Sequence, residues 1–250
     1  MSEKVETEKG EMPDWEDLMA EQGGAGRFQY LVFLMVELPT MTTGLMAYCM
    51  SFLMLPPDFV CDHRSGKEWQ SIPADSDLHR QHCNPTYFCT NSDTIRWQID
   101  ANGYNSLRNW MTDFRLECES GRAIGMVGGS YFFGYIVSTL ITKQIVDGMG
   151  RKRAFWLSRG IQAFVYLCMV SLPTEKRYFQ WFYVLLFLMG LQNNVNRTAG
   201  CNYYCEIMPH DKKDFFIAFM EVFENGGEVI IALYFMLSDG DWRVPYLCAT

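Results

Sequence analysis

Four stretches of this sequence run for 19 to 28 residues with almost no charge, and that feature removes most folds open to a 250-residue chain. They are 28–55, 123–142, 154–172 and 178–200. Crossing a hydrocarbon layer roughly 30 Å thick takes about 20 mostly apolar residues in helical form. The first stretch reads FQYLVFLMVELPTMTTGLMAYCMSFLML, broken only by Glu37 and Pro39. A fifth, 215–237, has the length but carries Glu221, Glu224 and Glu228. Helices buried in a soluble core rarely need runs of this length, so the periodicity predicts an all-α membrane protein with five spans.

A mean hydropathy of −0.07 would suit a soluble protein, but the charges are unevenly spread. Residues 1–27 hold 8 acids and 3 bases, and residues 56–122 hold 10 acids and 7 bases. Those two stretches account for the whole net charge of −8. The expected organisation is an acidic tail over 1–27, span 1 over 28–55, a large loop over 56–122, then spans 2–5 and the start of a sixth within 123–250. No face concentrates Lys and Arg, so no nucleic-acid partner is expected. Nine Cys in 250 residues is too sparse for a small disulfide scaffold.

Short loops set orientation, because Lys and Arg resist crossing. Lys143, Arg151, Lys152, Arg153, Lys212 and Lys213 lie on one side, against Lys176, Arg177 and Arg243 on the other. Six against three places the acidic tail in the cytosol and the 56–122 loop outside. The first apolar run follows a long acidic tail and is too long for a signal peptide core, so span 1 is expected to act as the anchor. The expected location is a multi-pass position in the plasma membrane or an organelle membrane, with the lipid bilayer as the first partner.

Several segments carry a resemblance in order along the chain. Gly26-Arg27-Phe28-Gln29 opens span 1, and Leu38-Pro39 lies inside it. The outer loop ends in Asn109-Trp110-Met111-Thr112-Asp113-Phe114 and Cys118. Next come a Gly-rich span 2 and Asp147-Gly148-Met149-Gly150-Arg151-Lys152. Glu206-Ile207-Met208-Pro209 closes span 4, and Asp241-Trp242-Arg243 follows span 5. From about Gly26 to Thr250 this order resembles the amino-terminal half of an organic cation/anion transporter, a branch of the major facilitator superfamily.

The resemblance implies two six-helix halves around a central site, so a second half or partner membrane subunits would complete the protein. It also implies a cytosolic gating motif of Asp147, Gly150, Arg151, Lys152 and Glu206, in which Asp147 latches the outward-facing state. Lys143 departs from a Gly expected four residues before Asp147. Gly148 stands where a basic residue is usual, and Leu186-Phe187-Leu188-Met189-Gly190 lacks the usual Arg.

Read for their chemistry, these residues give further expectations. Asp147 is placed just before span 3, where a carboxylate meets unpaired backbone N–H groups. Gly125, Gly128, Gly129 and Gly134 are small enough to let neighbouring helices pack closely. Each charge within a span costs something like 2.5–3.5 kcal/mol on insertion scales, so Glu37, Arg159, Arg197, Glu221, Glu224 and Glu228 need explanation. Glu221, Glu224 and Glu228 fall on one helical face, and Asn193, Asn196, Arg197, Gly200 and Tyr204 make a similar stripe on span 4. Two such faces imply either a shared wet cavity or internal ion pairs. In the cavity reading Glu37, Asn193, Arg197, Glu224 and Glu228 bind a small organic ion, and the carboxylates favour a cation. Tyr30, Phe33, Tyr131, Phe132, Trp156, Trp181, Tyr203 and Phe215 are interfacial anchors or packing, or aromatic walls for such a cation.

The outer loop holds Cys61, Cys83, Cys89 and Cys118, which suit two disulfides with three possible connectivities. A metal site with His63, His79 and His82 is the rival, but no paired C-x2-C spacing supports it. No metal and no cofactor are expected. Asn84-Pro85-Thr86 is blocked as a glycosylation acceptor by its Pro. No catalytic signature is present, so no enzyme activity is expected. The functional expectation is a secondary transporter of small organic ions, with cations favoured. The alternatives are a transport-inactive structural subunit derived from such a transporter, and a receptor or metal sensor built on the outer loop alone.

Overall fold

The computed structural model describes residues 24–65, 68–238 and 241–250, so the tail expected over 1–27 lies outside the described residues except for its last four. A long helix, α1 (Arg27–Leu53), leads into β1 (Phe59–Ser65), β2 (Glu68–Ser71), α2 (Asp77–His82), α3 (Pro85–Phe88), β3 (Ile95–Ile99) and α4 (Trp110–Asp113). Four long helices follow: α5 (Gly121–Met149), α6 (Arg151–Ser171), α7 (Phe179–Ile207) and α8 (His210–Leu237), then the short α9 (Arg243–Cys248). The long helices sit where the apolar runs predict them. Most extend past the runs because polar residues at the ends continue the backbone hydrogen bonding.

Three of these helices, α1, α5 and α6, are long and apolar enough to cross a membrane. At 29 and 28 residues, α7 and α8 have the length, but polar residues interrupt their apolar character. Large side chains such as Phe132, Ile136 and Leu140 on α5, Phe164 on α6 and Leu237 on α8 are more than half exposed. An outer surface so apolar suits lipid or another membrane helix, and not water.

Centrally, α7 packs most extensively on α5 and also on α6, while α8 packs on α1. The α5–α7 contact depends on two glycines. A Cβ added at Gly134 would fall on the carbonyl oxygen of Phe187, and one at Gly190 on that of Tyr131. Such backbone approach is how membrane helices gain dispersion contact without a hydrophobic drive. Of the four glycines expected to pack closely, only Gly134 does so. A Cβ added at Gly125, Gly128 or Gly129 meets nothing within 4 Å, and Gly125 and Gly128 face open space at a cavity wall. In α1, Pro39 is accommodated as membrane helices allow: its carbonyl accepts from Thr42 Oγ1 at 2.7 Å and from the Arg159 guanidinium of α6.

The 56–122 segment is not plain loop. It holds an antiparallel sheet in the order β2-β1-β3, with Ser65 opposite Glu68 and His63 opposite Ile95. Cys61, Ile72, Cys83, Phe88 and Ile95 form its small core, and Phe88 stacks on Trp97 at 4.7 Å. Cys61 bonds to Cys83 and Cys89 to Cys118, with Cα atoms 5.7 and 5.5 Å apart. These two pairs select one of the three connectivities open in the sequence.

Asn109 fastens this cap to the bundle. Its Oδ1 accepts from Thr112 N to start α4, and its Nδ2 donates to the carbonyls of Phe52 and Leu55 at the end of α1, at 3.0 and 2.8 Å. Trp110 then buries completely, edge-on to Phe182 and Trp242.

Gly190→Ala should cost about 1–3 kcal/mol or more by driving α7 off α5, read as a lower unfolding temperature in detergent. Gly129→Ala should be neutral or slightly stabilising through helix propensity. Equal behaviour of the two variants would contradict the close-contact account.

Candidate functional site

A cavity of about 610 Å³ lies between α1, α5, α7 and α8. Tyr48 from α1, Tyr131, Phe132 and Tyr135 from α5, Asn193 and Arg197 from α7, and Glu224 from α8 line it. Helical spacing explains the α7 contribution, since Asn193 and Arg197 are four residues apart and share a face. On α1, Gly44 admits α8: a Cβ there would stand 2.9 Å from the backbone carbonyl of Glu224. That close approach brings the Glu224 carboxylate to the cavity wall.

Arg197 is the electrostatic centre. Its Nη2 bonds Glu221 Oε1, and its Nε stands 3.6 Å from Glu224 Oε2. The second contact is an ion pair without a hydrogen bond, and Glu224 Oε2 is buried with no hydrogen-bonding partner. Asn193 is oriented by its Nδ2, which donates to the Tyr131 hydroxyl. The arrangement is a wall with one paired cation, one carboxylate with an unfilled oxygen, and aromatic rings.

Cavity and ion pairs were alternatives in the sequence, and both are present. Asn193, Arg197 and Glu224 come together at the cavity. Glu37 and Glu228 are not among its lining residues. Glu37 lies two turns below Gly44 on α1, fully buried, and neither carboxylate oxygen has a hydrogen-bonding partner. Glu228 is exposed one turn beyond Glu224, beside the Tyr48 hydroxyl. Of the eight aromatic residues singled out in the sequence, Tyr131 and Phe132 reach the cavity. Tyr48 and Tyr135 were missed, and only their registers relative to Asn193 and Glu224 reveal them.

Arg159, the other cation within an apolar run, makes no hydrogen bond to a carboxylate among the described residues. Its guanidinium donates to the Pro39 carbonyl, to Thr43 Oγ1 and Thr40 Oγ1 at 2.9 Å each, and to Gln162 Oε1 at 2.7 Å. Neutral acceptors on α1 and α6 thus solvate this charge.

At the far end of the bundle, Arg151 Nε meets Glu206 Oε1 at 2.7 Å, joining the start of α6 to the end of α7. Gly150 has φ +83°, a conformation that favours glycine, and separates α5 from α6. Asp147 departs from expectation. It lies in the last turn of α5, not ahead of α6, because α5 continues to Met149 and the helix break falls at Gly150. It is exposed, as is Lys152, and among the described residues no ion pair joins Asp147 to Lys143 or to any other cation. At the cap end, Asp113 accepts from Trp242 Nε1 at 3.0 Å and stands 3.4 Å from Arg108 and 3.6 Å from Arg243. Two segments far apart in the chain, 109–114 and 241–243, are thereby fastened together.

Arg197→Gln should lower stability by about 1.5–3 kcal/mol, since it leaves two neighbouring carboxylates without their cation. Arg151→Gln, at a largely exposed pair, should cost under about 1 kcal/mol. Unfolding midpoints of the two variants in the same detergent check this, and equal shifts would contradict it.

The sequence profile of the Major Facilitator Superfamily matches residues 104–250, from the seam around Asn109 to Thr250. Rat organic cation/carnitine transporter 2 is 24% identical over 274 aligned positions, covering 96% of this chain and 47% of the relative. The human transporter of that name is 22% identical over 277 positions, with the same coverage. Organic cation transporter 1 of Caenorhabditis elegans is 24% identical over 201 positions, 72% of this chain and 33% of the relative. The chain spans half or less of the length of these curated relatives. With more than half of its residues matched by the profile, the chain belongs to the Major Facilitator Superfamily, where these relatives are organic cation and carnitine transporters.

Proposed function

We propose that this chain is the amino-terminal bundle of a transporter for small organic cations, with α1 and α5–α8 as five complete spans and α9 as the start of a sixth. The observation that carries the reading is Glu224, which lines a cavity walled by Tyr48, Tyr131, Phe132 and Tyr135 and whose Oε2, 3.6 Å from Arg197 Nε, accepts no hydrogen bond among the described residues. Carboxylates and aromatic faces both attract a cation stripped of water. Arg197 holds Glu221 and Glu224 in place and sets the number of cations the wall accepts. Glu228 stands at the rim, beside Tyr48, where an entering cation passes first. Glu37 lies deeper along α1, without contact with the ligand.

Alternating access requires a second set of helices against this face, supplied by further chain or by partner membrane subunits. Arg151 and Glu206, with Gly150 as the break between α5 and α6, form the inner latch of that movement. Asp147 and Lys152 are exposed beside them and meet the opposing half. The relatives are named as transporters of organic cations and carnitine, which supports a cationic substrate class here.

Binding of radiolabelled tetraethylammonium to the purified chain in lipid nanodiscs tests this. Binding is expected to weaken at least tenfold in Glu224→Gln, matching the loss of about 1.4 kcal/mol or more in one charged contact, and to exceed binding of benzoate. Equal affinity of Glu224→Gln and the unaltered chain, at equal folded protein, would overturn the cationic site.

A further inference from the structure

Two thiols on α7 stand apart from the groups that line the cavity. Cys201 and Cys205 are one helical turn apart and share a face, on the row that continues from Asn193 and Arg197. Their Sγ atoms are 3.9 Å from each other. Both are free thiols, and both are half-buried, so a reagent can reach them. They pack against the apolar cluster that holds Phe33, Tyr204 and Phe216.

Helix geometry decides what this pair can take. Side chains four residues apart on a helix hold their Cβ atoms about 5–6 Å apart. A disulfide needs Cβ atoms about 3.5–4.5 Å apart and sulfurs about 2.0 Å apart, so direct closure would unwind α7, which runs on to Ile207. A bridge of one atom fits instead. At bonds of about 2.3 Å, as thiolates make to zinc, one atom spans sulfurs roughly 3.3–3.8 Å apart, a small side-chain rotation from the observed separation. A metal ion is not the bridge, because no group of three metal-binding side chains is present among the described residues. The bridging atom has to bring its remaining substituent with it.

We propose that Cys201 and Cys205 form a modification site for trivalent organic arsenicals, which take two sulfurs and carry their own third substituent. With an arsine oxide, two S–As bonds form and the As=O bond breaks. The two thiol protons leave with the oxygen as one water. Arsenic stays trivalent, so no oxidant or reductant is consumed. The apolar cluster beside the thiols suits an aryl substituent. The adduct ties consecutive turns of α7 together between Arg197, which holds Glu221 and Glu224, and Glu206, which meets Arg151.

The test is intact-mass spectrometry of the purified chain in detergent after treatment with phenylarsine oxide. One phenylarsenic adduct per chain is expected, stable to excess 2-mercaptoethanol and released by 2,3-dimercaptopropanol, with the free thiols falling from five to three. Cys201→Ser and Cys205→Ser should each abolish this adduct, and Cys168→Ser should leave it unchanged. Tryptic cleavage after Arg197 and Lys212 releases both thiols on one peptide, which should carry the arsenic of the unaltered chain, so the question is decided even if the variants fail to fold. Absence of an adduct resistant to the monothiol, arsenic on another peptide, or an undiminished adduct in folded Cys205→Ser would overturn the proposal.

Discussion

Hydrocarbon does not solvate charge, and a guanidinium carried into the bundle has to find acceptors on a facing helix. Arg197 shows the consequence most clearly. Its guanidinium on α7 gathers Glu221 and Glu224 from α8, and so fixes the register of the two helices. Arg159 meets the same demand differently, with carbonyl, hydroxyl and amide oxygens from α1 and α6. The bundle is in this sense assembled around two guanidinium groups, with apolar surface turned outward.

Close backbone contact supplies the other half of the packing. Gly134 and Gly190 let α5 and α7 touch main chain to main chain, and Gly44 does the same for α1 and α8. The cavity forms in the space these contacts leave, lined by the polar stripe of α7 and the aromatic residues of α1 and α5. Helix contacts and cavity shape are therefore one geometric result. A side chain added at a contact glycine moves the cavity wall as well as the helix.

Much of this was legible in the sequence. Apolar runs located the five long helices but stopped seven residues short of the ends of α5 and α7 (142 against 149, 200 against 207), and charged residues inside those runs marked α7 and α8 as facing one another. The need for two disulfides was also visible. What was not visible depends on neighbours. Gly190 looks like any small residue in an apolar run until Tyr131 lies across it. Tyr48 and Tyr135 join the site only through their register with Glu224 and Asn193. The sheet of the cap was hidden because Phe59–Ser65 and Ile95–Ile99 are short and lack clean alternation of apolar and polar residues. Asp147 was misplaced by one helical turn, since the break depends on the backbone of Gly150 and not on the run of charges around it.

The cap and the bundle meet at a seam of Asn109, Trp110, Asp113 and Trp242, which brings together segments that resemble the superfamily's transporters and lie more than a hundred residues apart. In the proposed topology the cap lies outside the membrane and the α7–α8 connection inside, and glycosylation tests this most directly. Pro85→Ala opens the acceptor Asn84-Ala-Thr86 in the cap, while His210→Asn with Lys212→Thr builds one between α7 and α8. Translation into microsomes should glycosylate the first variant and leave the second unmodified. Modification of the second, or of neither, would contradict the membrane-threaded bundle on which the whole account stands.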